Sequence, residues 1–142
     1  MKVAKIISEV LEADVLRPQN ADPRDVVEKN DVLGFGSGIY YGRPHRSLLK
    51  FAENLPKISE KTAFIFSTSG LPRIPLIHDY HKPLIGILRE KGFRILGEFT
   101  CMGYNTHGIL KAVGGMNKGR PSQTDLERAR KFAEEILDQL RS

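Results

Sequence analysis

The chain has 142 residues, of which 40% are hydrophobic, 27% charged and 8% aromatic, a composition typical of one globular domain. Its single cysteine, Cys101, excludes an intrachain disulfide and a zinc site built from several cysteines. The net charge is +5, but basic and acidic residues are interspersed, which favours a solvated surface over a nucleic-acid site. No apolar segment reaches the length of about 18 residues that a membrane span needs. The single cysteine favours a reducing environment, so we expect a cytoplasmic protein.

The first half of the sequence alternates helical patterns with short apolar runs. Apolar residues at helical spacing, from Val3 to Val10, predict that the chain opens on an amphipathic helix. The helices predicted in this half cover residues 3–12, 22–28 and 45–55. The strands predicted here are a short run at 13–16 and a buried strand at 31–35, which leads into a glycine-rich loop at 36–44.

The second half continues this alternation. Phe64 lies in an unbroken apolar run, typical of a parallel strand that is covered on both faces, and we predict this strand at 62–67. A helix at 76–91 is closed by Gly92, and a further strand follows at 94–101.

The last predicted helix begins near Thr124, which has capping-box spacing to Glu127. Strands that alternate with helices predict an α/β fold with a parallel sheet. Ligands of such sheets bind outside the carboxyl ends of the strands, so the loops after residues 35, 66 and 100 are predicted to share one edge.

The first of these loops is rich in glycine and tyrosine. Glycines allow the backbone to approach a flat ligand closely, and tyrosine rings offer faces for stacking. The candidate binding residues in this loop are Gly36, Ser37, Gly38, Ile39, Tyr40 and Tyr41. The spacing differs from the dinucleotide-binding fingerprint, and the alternative interpretation is a flexible turn.

The second and third loops add hydroxyl groups and one more aromatic ring. The second contains Ser67, Thr68, Ser69 and Gly70, which could hydrogen-bond the edge of a ring. It lacks the G-x-S-x-G motif of hydrolases, so a nucleophilic serine is the weaker interpretation. The third loop contributes Tyr104 as a further stacking candidate.

Two histidines near the start of the helix at 76–91 could share one face. His78 and His81 are three residues apart, but no third ligand is evident nearby, so we predict exposed histidines at a helix start and no metal site.

Four segments, in this order and spacing, resemble the flavodoxin-like proteins that bind flavin mononucleotide (FMN). The segments are DVLGFGSGIYYGRPHRSLLKF, TAFIFSTSG, KGFRILGEFTCMGYNT and GRPSQTDLERARKFAEE. The resemblance implies a flavodoxin-like three-layer sandwich with a parallel sheet in the order 2-1-3-4-5. It also implies that the isoalloxazine ring of FMN lies between the loop at 36–41 and the loop at 67–70.

The sequence departs from this family in one respect. Family members begin with a strand and a phosphate-binding loop that precede the first helix, whereas this sequence opens on that helix. We therefore expect a single domain at 1–142 that is N-terminally truncated relative to the family. Without the phosphate loop, we expect FMN to bind weakly, about as well as riboflavin.

The function that the resemblance implies is electron transfer through bound FMN, with no catalytic residues of the chain's own. One alternative is a quinone or flavin reductase that uses NAD(P)H, and another is a flavin-free remnant that acts as a binding module. Flavodoxins that carry electrons are typically acidic, whereas this chain is basic, so the expected partner is an acidic redox protein. A homodimer is a further expectation, because a second chain could fill the place of the missing strand.

Overall fold

The computed structural model describes residues 2–40, 43–44, 46–69, 81–102 and 123–141. The described helices are α1 (Lys2–Leu11), a short 3-10 helix (Pro18–Asn20), α2 (Pro23–Lys29), α3 (Arg46–Glu53), α4 (Lys82–Glu90) and α5 (Gln123–Arg141). The strands are β1 (Val32–Tyr40), β2 (Arg43–Pro44), β3 (Lys61–Ser69) and β4 (Phe93–Met102). Of the residues singled out in the sequence, Tyr41, Gly70, His78 and Tyr104 lie outside the described residues.

The described strands form one sheet in the order β2-β1-β3-β4. Strands β1, β3 and β4 run parallel, and β2 pairs antiparallel with the last two residues of β1. Gly38 is the register partner of Thr68, which in turn pairs with Cys101. The three parallel strands therefore end at the same edge of the sheet, which confirms the sequence prediction for these strands.

Helices cover both faces of this sheet, as the unbroken apolar run around Phe64 predicted. One face packs against α1 and α5, where the buried residues are Val3, Ile7, Phe64, Phe99, Ala129, Phe132, Ala133 and Ile136. The other face packs against α2, α3 and α4, where they are Val27, Leu33, Phe35, Leu48, Ala52, Leu55, Ala63, Ile65, Leu84, Ile85, Leu88 and Phe93. The result is a three-layer α/β sandwich with a core on each side of the sheet.

The parallel strands are longer than predicted and include residues that were expected in loops. Strand β1 continues through Gly36, Ser37, Gly38, Ile39 and Tyr40, and β2 forms from the end of the predicted glycine-rich loop. Strand β3 likewise includes Ser67, Thr68 and Ser69. The low strand propensity of glycine predicted a loop, but pairing with β3 continues as far as Gly38 and outweighs that propensity.

The strand predicted at 13–16 is wrong. These residues follow α1 without forming a strand, and Val15 and Leu16 are 49% and 60% exposed. The segment connects α1 on one face of the sheet to α2 on the other. A short apolar run becomes a strand only where it finds a hydrogen-bonding partner, and no described strand pairs with this segment.

The helix ends agree only in part with the sequence signals. Gly92 follows α4 as predicted, with a φ of 103° that glycine adopts without strain, and its N–H donates to the Arg89 carbonyl at 3.0 Å. Helix α5 begins at Gln123, so Thr124 lies in its first turn and is not the predicted N-cap. None of the helices in the described ranges is long and apolar enough to cross a membrane.

Candidate functional site

The C-terminal ends of the parallel strands bring hydroxyl residues into one row across the sheet. Ser37 of β1 is the register partner of Ser67 in β3, and Ser67 is the partner of Thr100 in β4. Register partners in a parallel sheet direct their side chains to the same face. Leu33, Phe35 and Ser37 are spaced two residues apart along β1, so Ser37 lies on the same face as the two buried apolar residues. That face packs against α3 and α4, and the hydroxyl row therefore lies at the end of that core.

A buried hydrogen-bond network begins at the central member of this row. The Ser67 Oγ atom lies 2.7 Å from Nε2 of His81, and the other ring nitrogen, Nδ1, lies 2.8 Å from Oε1 of Glu98. Ser67 also donates to Oγ1 of Thr100 at 3.1 Å. Ser67 is 1% exposed and His81 3% exposed, whereas the side chain of Glu98 is 26% exposed. The network therefore connects a partly exposed carboxylate with two buried side chains.

Helix α4 positions the histidine of this network. His81 immediately precedes Lys82, the first residue of α4, and the apolar face of that helix packs on the sheet through Leu84, Ile85 and Leu88. The prediction that His81 is exposed is wrong, because its imidazole packs on the face of the sheet and contacts Ser67 of β3 and Glu98 of β4. No group of three potential metal ligands occurs among the residues that the structure describes.

A β-bulge in β4 brings Glu98 to this network. The register with β3 shifts between Ala63 and Phe64, so that Ala63 pairs with Ile95 but Phe64 pairs with Gly97. With regular alternation from Ile95, the residues Gly97 and Phe99 would face α4, and Glu98 would face α5. The extra residue of the bulge reverses this, and both Glu98 and Thr100 lie on the α4 side with Ser67.

Sequence reasoning named Ser67 but missed His81 and Glu98 as its partners. The available signal was Glu98 itself, a charged residue inside a strand that should be covered on both faces, next to Gly97, which often marks a bulge. Which face Glu98 occupies depends on the bulge, and periodicity alone gives the opposite face.

Two glycines of β1 make room for aromatic rings of β3. A Cβ atom placed on Gly36 would lie 2.2 Å from the ring of Phe66, and one on Gly34 would lie 2.3 Å from the ring of Phe64. Aromatic side chains of one strand thus cover the neighbouring strand where that strand has no side chain. A Cβ atom at residue 36, a candidate binding residue, would therefore require the Phe66 ring to move.

Replacing Gly36 by alanine is expected to lower the free energy of unfolding by about 1 to 3 kcal/mol, because the new methyl group overlaps the Phe66 ring. Urea denaturation measures this change. In combination with Phe66→Leu, which removes the overlapping ring, the alanine should cost less than it does alone. If Gly36→Ala lowered the free energy of unfolding equally with and without Phe66→Leu, the overlap with the Phe66 ring would not be the cause.

The strand ends carry groups that suit the edge of a neutral ring. Gly38, Thr68 and Cys101 occupy one register row at this edge, and the Thr68 side chain is half-buried. The candidate residues supply hydroxyls, backbone groups and tyrosine rings, and none of them is charged. Hydroxyl and backbone groups of this kind can donate to and accept from the polar edge of a flat ligand.

Comparison with known proteins supports the fold. No model of a known protein family matches the sequence. The flavodoxin of Streptococcus pneumoniae TIGR4 superimposes with a TM-score of 0.70 at 16% identity, over 97% of this chain and 89% of that one. General stress protein 14 of Treponema denticola, solved in complex with FMN, superimposes with a TM-score of 0.64 at 13% identity, over 98% of this chain and 91% of that one.

The fold of this chain is therefore flavodoxin-like. Its sequence is 46% identical over 136 residues to the uncharacterized protein MJ0298 of Methanocaldococcus jannaschii, a match that covers 96% of this chain and 88% of that protein. The chain belongs to the same protein family as MJ0298.

Proposed function

We propose that this protein binds FMN at the C-terminal edge of its parallel sheet and functions in electron transfer. The observation that carries this proposal is the common edge formed by the ends of β1, β3 and β4 within a flavodoxin-like fold. A structural neighbour with the same fold, general stress protein 14, was solved in complex with FMN. When bound, the flavin supplies the redox chemistry, and the protein binds the ring, orients it and sets its electrostatic environment.

The residues proposed to hold the flavin ring follow from the positions of the strand ends. The backbone of 36–38 and of 67–70 would contact the edge of the ring, and Tyr40 or Tyr41 would stack on its face. Thr68 is one hydroxyl donor that β3 offers at this edge. Ser67 would contribute only its backbone, because its hydroxyl is buried and bonded to His81 and Thr100.

The charge of the chain suggests which redox partner it would meet. With a net charge of +5, the protein should associate faster with an acidic partner than with a basic one, and added salt should weaken this preference. The proposed partner is therefore an acidic redox protein.

The test of FMN binding is a fluorescence titration with the protein and with tyrosine variants. We expect saturable quenching at one FMN per chain. Replacing Tyr40 and Tyr41 together by alanine should weaken binding by about 1 to 3 kcal/mol, or about 5- to 150-fold, because a stacking face is lost. The matched control replaces both tyrosines by phenylalanine, which retains the aromatic faces and should leave the affinity nearly unchanged.

Three other results of these experiments would change the proposed site or the proposed function. An unchanged affinity of the double alanine variant would remove the tyrosines from the site. No saturable quenching with the unmodified protein would overturn FMN binding and favour a binding module without flavin. Oxidation of NAD(P)H by the FMN-loaded protein would identify a reductase instead of a carrier.

A further inference from the structure

The network of Ser67, His81 and Glu98 forms a continuous path across the end of the α4-side core. From Oε1 of Glu98 the bonds pass through both nitrogens of the His81 ring to Oγ of Ser67, with lengths of 2.8 and 2.7 Å. A third bond of 3.1 Å continues to Thr100. The two central groups are almost fully buried, whereas Glu98 and Thr100 are both partly exposed. The path therefore connects two partly exposed groups through the interior.

The hydrogen bonds of this path can be satisfied by two arrangements that differ by one proton. A hydroxyl has one proton, and Ser67 donates it to Thr100, so the Ser67 oxygen accepts from Nε2 of His81. The bond between Nδ1 and Glu98 needs a second proton. If the Ser67 hydroxyl turned toward Nε2 instead, Thr100 would donate to Ser67, and one proton fewer would satisfy every bond. The heavy atoms need not move between these two arrangements.

The same atoms resemble the triad of a serine hydrolase, but the serine is not accessible. In such a triad the histidine accepts the proton of the serine before the serine attacks. Here Ser67 lies inside β3 with 1% of its surface exposed. A hydroxyl that is this deeply buried has no space for an acyl group.

We propose that Glu98, His81 and Ser67 form a proton relay between solvent and the strand ends, an inference that rests on the proposed FMN site. A proton from water binds Oε1 of Glu98 and passes to Nδ1, while the proton on Nε2 moves to Ser67. The proton of Ser67 moves to Thr100, and Thr100 would release its own proton to water in the flavin-free chain or toward a flavin bound at the strand ends. One proton enters at Glu98 and one leaves at Thr100, and no side chain is oxidised or reduced.

The decisive measurement uses the flavin-free chain. The exchange of the His81 ring N–H protons with water can be followed by NMR of ¹⁵N-labelled protein. If protons enter through Glu98, the Glu98→Gln variant should slow this exchange about tenfold, because the exchanging carboxylate is lost. Glu90→Gln, which alters an exposed carboxylate of α4, is the matched control and should change nothing.

A purely structural network makes the opposite prediction. Loss of the bond to Glu98 would then loosen His81 and speed the exchange of its ring protons. Exchange that is faster or unchanged in Glu98→Gln would therefore overturn the relay. Should that variant not fold, Glu98→Asp decides in the same way, since it moves the carboxylate away from Nδ1. Labelling of Ser67 by a fluorophosphonate, absent in Ser67→Ala, would also overturn the relay in favour of a nucleophile.

This measurement separates the relay from the proposed function. Failure of FMN to bind would overturn the proposed function without affecting the exchange rates of the flavin-free chain. In the FMN-loaded protein, Glu98→Gln should slow the proton uptake that accompanies flavin reduction about tenfold. The affinity for FMN should remain unchanged, because the relay residues act through protons and not through ring contacts.

Discussion

Replacing Gly92 by alanine is expected to lower the free energy of unfolding by about 2 to 5 kcal/mol. Two causes add at this position. The backbone φ of 103° lies in the left-handed region, which disfavours any residue with a Cβ atom. In addition, a Cβ would lie 1.9 Å from the carbonyl oxygen of Ile58. That oxygen belongs to the backbone and cannot rotate away as a side chain could. Urea or thermal denaturation measures the loss.

Gly86 provides the matched control for this prediction. It lies on an exposed position of α4, and nothing within 4 Å would contact a new Cβ. Alanine there should stabilise the protein by about 0.5 to 1 kcal/mol, because alanine loses less backbone entropy in a helix than glycine does. The same substitution should thus have opposite signs at two positions only six residues apart. A neutral Gly92→Ala variant would contradict the described turn.

Replacing His81 by alanine is expected to lower the free energy of unfolding by about 2 to 4 kcal/mol. The substitution leaves a buried hydroxyl on one side of the vacant ring position and a carboxylate on the other. The carboxylate of Glu98 is 26% exposed, so water can partly satisfy it, and the cost should stay below that of a fully buried pair.

A double-mutant cycle shows how much of this cost comes from the hydrogen bond to Ser67. Ser67→Ala removes the hydroxyl that His81→Ala leaves without its partner. The double variant should therefore be more stable than the sum of the single effects predicts, by about 0.5 to 1.5 kcal/mol. Additive effects would indicate that the cost of His81→Ala comes from packing and from the bond to Glu98, and not from the bond to Ser67.

Much of the fold could be predicted from the sequence, because the spacing of apolar residues indicates which faces of a helix or strand are buried. The run around Phe64 predicted a strand covered on both faces, and α1 and α5 pack on one side of it while α4 packs on the other. The extent of β1 was not predictable from local propensity. From its sequence alone, Gly36 is predicted to lie in a loop, because the Phe66 ring that covers it belongs to a different strand.

The candidate site was predictable only in part. The row of strand ends followed from the parallel order, which placed Ser67 at the correct edge. His81 and Glu98 are 17 residues apart, and their contact depends on the start of α4 and on the bulge together. Neither feature has a periodic signature, so an isolated histidine at a helix start was assigned to the surface.

The bulge in β4 also restricts how the length of this strand can change during evolution. Because the bulge adds one residue opposite β3, deletion of one residue between Ile95 and Glu98 would restore regular alternation and keep Glu98 and Thr100 on the α4 side. Insertion of one further residue there would exchange the two faces, with Glu98 and Thr100 toward α5, among the aromatic residues around Phe132, and Phe99 next to His81. A deletion of one residue in this segment should therefore be tolerated better than an insertion of one residue.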